Sequence, residues 1–264
     1  MRPQRLIFGE AAELYDKARP GYSGAVVQDV LSFAGLKGPD GRALEVGAGT
    51  GKATVAFAPT GLDVLALEPD PSMGAVARRN CQPFANVRIE TTGFEDWLLQ
   101  AGAFDLVFSA QAWHWLDPHV RYQKAAQALV PGGTLALLWH RIDWHKEPLQ
   151  DELDELYRRA APELHARRPG FPGLGSRSLD ETWAAEAEAS GLFHGAVART
   201  HPWPATYTAA TLTELLRTQS DHRLLDERTR ADLLNGVAEI IASHGGTVTV
   251  PHVTLLVMAR QGTP

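Results

Sequence analysis

Five short runs of apolar and β-branched residues lie between Arg42 and Trp139: ALEVG (43–47), DVLALE (63–68), NVRIET (86–91), FDLVFS (104–109) and TLALLW (134–139). Most lack polar alternation over their length, as strands buried on both faces do, and the spacers between them are long enough for crossovers. This rhythm constrains the fold more than any other feature of the chain, because it calls for strands alternating with helices in a parallel sheet. Helices are expected at Lys52–Ala58, at Pro71–Asn80 with proline in the first turn, and at His119–Leu129. A short turn is expected around Glu95–Gln100, and Pro131, Gly132 and Gly133 stop the third helix.

Beyond Trp139 the rhythm changes. Between Glu147 and Arg168, Leu149, Leu153, Leu156, Ala160 and Leu164 recur at three- and four-residue steps, which marks one amphipathic helix. The stretch RRPGFPGLGSRS holds too much glycine and proline for regular structure and is a candidate lid. A helix follows near Glu181–Ser190. Two more, Ala209–Gln219 and Glu227–Ser243, separate strand-like segments at Gly195–Trp203 and Thr247–Arg260. Pro251 in the second segment suits an edge or a bulge better than mid-sheet. Four regions result: 1–40, an N-terminal helical segment; 41–142, the α/β core; 143–192, a helical insertion; and 193–264, strands with a further helical insertion.

With 25 Lys and Arg against 31 Asp and Glu, the formal charge of −6 offers no field for nucleic acid or an anionic membrane. The single cysteine, Cys81, excludes an internal disulfide and a CxxC metal knuckle. The histidines show no HExxH, HxxxH or mixed Cys/His spacing, so no metal site is expected. No apolar run approaches the roughly 18 residues that span a bilayer, and no signal-peptide core is evident near the N-terminus. A cytoplasmic protein is expected, with no nucleic-acid or membrane partner; its oligomeric state is not legible.

The first run leads into EVGAGTGKAT, residues 45–54. A Walker loop would need glycine where Val46 stands and Ser or Thr where Ala53 stands, and the dinucleotide fingerprint would need a small residue at Lys52. The pattern is G-x-G-x-G, at Gly47, Gly49 and Gly51. Alternating glycines between a buried strand and a helix leave backbone bare of Cβ atoms, so a ligand can lie directly on it, and the helix N-terminus that follows favours an anionic group there. The second run ends LALEPDPSM and places Glu68 at a neighbouring strand tip. A carboxylate there can accept two hydrogen bonds from adjacent ribose hydroxyls, so an adenosine-type ligand is expected across the strand tips.

Taken in order, LEVGAGTGKAT, LALEPDPSM, TGFEDW, FDLVFSAQAWHWLD and LVPGGTLAL resemble the successive motifs of class I S-adenosylmethionine-dependent methyltransferases, over about residues 10–140. YDKARPGYS, LLRTQSDHRLL and GGTVTVPHVTLLVMAR are similar to a small-molecule subgroup that includes trans-aconitate methyltransferase-like proteins. The resemblance implies a doubly wound, mostly parallel, seven-stranded Rossmann-like sheet whose last strand is antiparallel, with the helical insertions as a cap and S-adenosylmethionine as cofactor. Residues Glu45 through Gly51, including Ala48, would then hold the methionine part, with Glu45 near its amino group, and Glu68 the ribose. Pro69, Met73 and Phe94 would meet the adenine. The commonest pattern carries an acid just before Phe94, where this chain has Gly93, and Glu95 is the candidate replacement. Ala110 and Gln111 would line the sulfonium end, and Tyr15 and Arg19 would close over the cofactor.

For the reaction itself, AQAWHWLD places Gln111, Trp113, His114 and Trp115 just past a strand tip, where open α/β sheets bind ligands. The tryptophans either wall a pocket or pack on the core. His114 is either a base or a hydrogen-bonded structural histidine. His140 and Arg141 follow the fifth run. Arg141 either clamps a substrate carboxylate or faces solvent, and His140 is a second candidate base. The expected function is methyl transfer to a small-molecule oxygen, carboxylate or hydroxyl. A nicotinamide-dependent oxidoreductase and a non-catalytic cofactor-binding regulator remain as alternatives.

Overall fold

The computed structural model describes residues 12–142, 149–167 and 178–262. Most of the candidate lid falls outside these. Two helices lead the described chain, α1 (Ala12–Ala18) and α2 (Gly24–Ala34), the second capped by the Ser23 hydroxyl and closed by Gly35 in the left-handed conformation. The core then runs β1 (Arg42–Val46), α3 (Lys52–Phe57), β2 (Asp63–Leu67), α4 (Pro71–Cys81), β3 (Val87–Glu90), β4 (Phe104–Ala110), α5 (Arg121–Ala128) and β5 (Leu129–Ile142). After it come α6 (Gln150–Ala160), α7 (Pro162–Arg167), α8 (Ser178–Ala189), β6 (Phe193–Thr208), α9 (Ala209–Arg217), α10 (Ser220–Arg223), α11 (Glu227–Ser243) and β7 (Thr247–Gln261).

The seven strands form one sheet in the order β3-β2-β1-β4-β5-β7-β6. The pairs among β1 to β5 are parallel, and β7 runs antiparallel to both β5 and β6. Strand order reverses between β1 and β4, and the carboxyl ends of strands on either side of such a switch leave a crevice for ligands. Period-two alternation divides the core between the two faces. Leu135 and Leu137 pack on one side with Trp97, Tyr122 and Phe193, while Ala136 and Leu138 pack on the other with Val26, Val30 and Phe57. A third apolar cluster is helical, built by α6, α7, α9 and α11 around Leu153, Leu212, Leu233 and Val237.

Three expectations are corrected. The amphipathic stretch expected as one helix is two, because Pro162 cannot donate to the ladder and pushes Ala161 out of helical geometry, to φ −142° and ψ 62°. The fifth strand, expected to start at Thr134, begins at Leu129, directly after α5 ends at Ala128, because Val130 precedes Pro131 and is disfavoured in helical geometry; Pro131 to Gly133 therefore lie inside β5. The strand β7 is interior rather than an edge. Pro251 is tolerated because it lies one residue past the last β5 pairing, Ile142 with His252, and faces Pro204 on β6.

Candidate active site

The loop from β1 to α3 turns through three left-handed glycines, with φ of 74° at Gly47, 60° at Gly49 and 84° at Gly51. Their surroundings differ. A Cβ on Gly47 would lie 2.3 Å from that of Ala112, so this glycine lets the loops after β1 and β4 meet. A Cβ on Gly51 would press on Cys81 and Ala77 of α4, and Gly51 serves helix packing rather than the cavity. At Gly49, among the described residues, the Met73 methyl alone stands within reach, at 3.7 Å, and they leave the space above the backbone open.

That space belongs to a cavity of about 560 Å³ at the strand tips. Of the candidate residues, Tyr15, Arg19, Gly47, Ala48, Gly49, Glu68, Pro69, Met73, Phe94, Glu95, Ala110, Gln111, His114, His140 and Arg141 line it; Glu45 and Gly51 do not. Glu68 faces the loop: its Oε2 accepts from the Gly49 N–H at 2.7 Å, and its Oε1 accepts from the Asp70 N–H at 2.9 Å. Each oxygen keeps lone-pair capacity for a ligand hydroxyl. Burial raises its pKa to about 7 against these two N–H bonds. Glu45 is fully buried under the loop. Its Oε2 accepts from the Thr54 hydroxyl at 2.5 Å, its Oε1 has no partner among the described residues, and burial raises its pKa to about 8. A bare cradle at Gly49 and an orphaned carboxylate oxygen beneath it fit a ligand that brings both a diol and a cation.

Over this cradle lies α1. Lys52 pairs with Asp16 at 3.2 Å, Asn80 donates to both Asp16 and the Thr50 carbonyl at 2.9 Å, and Arg19 donates to the Thr218 hydroxyl at 2.8 Å and carbonyl at 2.9 Å. Arg19 thus ties the N-terminal segment to the end of α9. Gln111, at the tip of β4, has φ of 63°, a strained value for a side-chain-bearing residue, held by its N–H on the Leu138 carbonyl at 2.9 Å.

The far end of the cavity is aromatic. Trp139 stacks on Trp183 of α8 at 5.2 Å, and both line the cavity with Trp115. Trp113 is not a wall: it is fully buried, edge-on to Tyr122. His114 is exposed to the cavity, and its Nδ1 accepts from the Trp139 indole N–H at 3.4 Å. Crowding by surrounding protein, then the charges of Arg141 and Arg121, lowers its pKa to about 4. His140 has both nitrogens engaged. Its Nε2 must donate to the Gly21 carbonyl at 3.1 Å, so its Nδ1 accepts from the Thr254 hydroxyl at 3.0 Å, and that oxygen in turn accepts from the Trp203 indole at 3.0 Å. Burial lowers its pKa to about 3, and its ring stacks on Tyr22 at 4.2 Å. Neither histidine offers a free lone pair for a substrate proton while these bonds hold.

Several lining residues were missed from sequence, among them Tyr22, Trp139, Trp183, Asp221 and His252. Trp139 was legible only as a strand residue, and His252 sat in an unremarkable strand 112 positions downstream of His140. Among the described residues no group of His, Cys, Asp and Glu is placed to hold a metal, and no helix is long and apolar enough to cross a membrane.

Residues 44–137 match the family described as a methyltransferase domain. An uncharacterized methyltransferase of Mycobacterium tuberculosis is 37% identical over 150 residues, an alignment spanning 55% of this chain and 58% of that protein. The trans-aconitate 2-methyltransferase of Deinococcus radiodurans is 31% identical over 100 residues, 38% of each chain. Among solved structures, a protein of Anaeromyxobacter dehalogenans assigned as a type II methyltransferase superposes with a TM-score of 0.63 at 24% identity, over 92% of this chain and 97% of that one. The phosphoethanolamine N-methyltransferase 2 of Haemonchus contortus, whose structure holds S-adenosylhomocysteine, superposes at 0.57 with 17% identity, over 97% of this chain and 58% of that one. Residues 44–137 thus match a methyltransferase domain, and the described chain shares the fold of solved methyltransferase structures.

Proposed function

We propose that this chain transfers a methyl group from S-adenosylmethionine to an oxygen of a small-molecule acceptor, and that an ionised carboxylate is preferred over a hydroxyl. The observation that carries the reading is the open face of Gly49 with the Glu68 carboxylate bonded to its N–H. In this reading Glu68 takes the ribose hydroxyls, Pro69, Met73 and Phe94 hold the adenine, with Glu95 beside them, and the loop from Gly47 through Ala48 and Gly49 carries the methionine part. Glu45, beneath the loop, lies near the cofactor's amino group. Ala110 and Gln111 border the sulfonium end, and Tyr15 and Arg19 cover the site.

When bound, the sulfonium supplies an electrophilic methyl carbon and leaves as a neutral thioether. The chain's own task is to hold the acceptor oxygen about 3 to 3.5 Å from that carbon and to keep water out. Trp115, Trp139 and Trp183 exclude water, and Arg141 takes the acceptor's charge. An ionised carboxylate needs no base, whereas a hydroxyl does. The engaged lone pairs of His114 and His140 therefore support the carboxylate; His114 becomes a binding group, and His140 holds the wall through Gly21 and Thr254.

Isothermal titration with S-adenosylhomocysteine, and in parallel with NADH, tests the cofactor: binding of the first alone is expected, and failure to bind it at high micromolar concentration ends the reading. Incubation with S-adenosylmethionine and panels of acids, phenols and amines, read by mass for one added methyl, is expected to score the acids.

A further inference from the structure

The tautomer of His114 is set by a donor on β5. Trp139 is almost fully buried in β5, and its indole N–H can only donate, so the His114 Nδ1 it meets must present a lone pair. The neutral ring then carries its proton on Nε2. The side of the ring facing Trp139 is spoken for, and His114 and Arg141 both line the cavity. Trp139 cannot easily shift, because its ring stacks on Trp183 at an interplanar angle of 15°, and Trp183 lies under the guanidinium of Arg121 at 4.9 Å. Arg121 is buried and paired with Glu186 of α8. The indole donor is therefore braced by a chain of packed groups running from α5 to α8.

We propose that Trp139 is a positioning residue for acceptor recognition: it holds His114 as the Nε2–H tautomer, so that His114 acts as a neutral N–H donor to the acceptor's oxygen and not as a base. The word acceptor rests on the methyl-transfer reading above; the tautomer does not. A neutral donor and the cation of Arg141 on one cavity offer an acceptor two different hydrogen-bonding partners, and the two oxygens of a carboxylate can take one each. The site then selects by geometry as well as charge. The lowered basicity of His114 keeps the donor neutral at physiological pH.

Long-range proton–nitrogen correlation spectra of the labelled protein read the tautomer without any ligand, with the His114 signals assigned by their loss in His114→Gln. Protonated Nε2 with unprotonated Nδ1 is expected in the parent protein, and a mixed pattern in Trp139→Phe. A parent His114 protonated on Nδ1, or a pattern unchanged in a folded Trp139→Phe, overturns the proposal. Should Trp139→Phe fail to fold, Trp139→Tyr, which keeps an aromatic ring but moves the donor, takes its place, and a parent His114 protonated on Nδ1 still overturns the proposal. Once an acceptor is identified, His114→Phe is expected to raise its KM about tenfold or more with kcat less affected, as loss of one hydrogen bond to a charged group does. His114→Gln, whose amide N–H can stand where Nε2–H stands, is expected to recover most of that loss. An equal loss in both variants, or a fall in kcat with KM unchanged, overturns the donor role. The spectra report on Trp139 even if no acceptor is ever methylated, so the two readings fail separately.

Discussion

Gly47 and Gly49 share a backbone sign and differ in what surrounds them, which separates folding from binding. Alanine at either position carries the strain of the left-handed region, roughly 1–2 kcal/mol. At Gly47 the new methyl would also collide with Ala112, so Gly47→Ala is expected to lower thermal stability by clearly more than Gly49→Ala. At Gly49 the methyl projects into open space, so Gly49→Ala is expected to fold and to lose most affinity for S-adenosylhomocysteine, as read by calorimetry. Wild-type affinity in Gly49→Ala would remove the cradle from the proposal.

Glu45 and Glu68 also act at this scale. Both have pKa values raised chiefly by burial, to about 8 and about 7, above the ordinary carboxyl value of 4.5. Between 4.5 and these values the folded protein binds more protons than the unfolded one, so stability falls as pH rises. The stabilisation is whole below about pH 4.5 and gone above about pH 8. The Tm of the ligand-free protein is expected to decline through this window, with a shallower decline in Glu68→Gln; a Tm rising from pH 5 to 8 would contradict it. The place of Glu68 was legible in the sequence, since motif spacing puts it at a strand tip beside the loop. The engaged nitrogens of His140 were not, because their partners Gly21 and Thr254 are more than a hundred positions away on either side.

The helix α1 is the element whose placement bears most on binding. It is held by exposed ion pairs, Lys17 with Glu214 and Glu13 with Arg79, by the part-buried contacts of Asp16 with Lys52 and Asn80, and by the part-buried bonds of Arg19 to Thr218. Exposed pairs contribute little and weaken in salt. Arg19 to a buried threonine is the firmer tie, with a charged donor spared from competing water. Thr218→Val is therefore expected to speed amide exchange in residues 12–22 more than half-molar salt does. The opposite order would assign the hold to the ion pairs. The break between α6 and α7 belongs here too: apolar periodicity ran straight through Pro162, and the backbone rule at proline prevailed over the side-chain pattern.

Across the whole molecule, the helical cluster of α6, α7, α9 and α11 supplies Leu215 to the cavity, and the loop and helix after α9 supply Gln219, Ser220 and Asp221. Leu212 is wholly buried in this cluster, and Leu212→Ala is expected to cost about 2–5 kcal/mol in denaturant unfolding. A change below 1 kcal/mol would mean the cluster is loosely packed and a poor wall.

The sequence by itself determined the alternating strands and helices, the sheet that follows from them, and the glycine loop facing an acid, because these depend on periodicity and short-range spacing. The tertiary structure alone decided which side chains meet at the far end of the cavity. Trp139 beside His114, and His140 between Gly21 and Thr254, are contacts across different elements. They fix where protons sit, and no local pattern encodes the partner of a ring nitrogen.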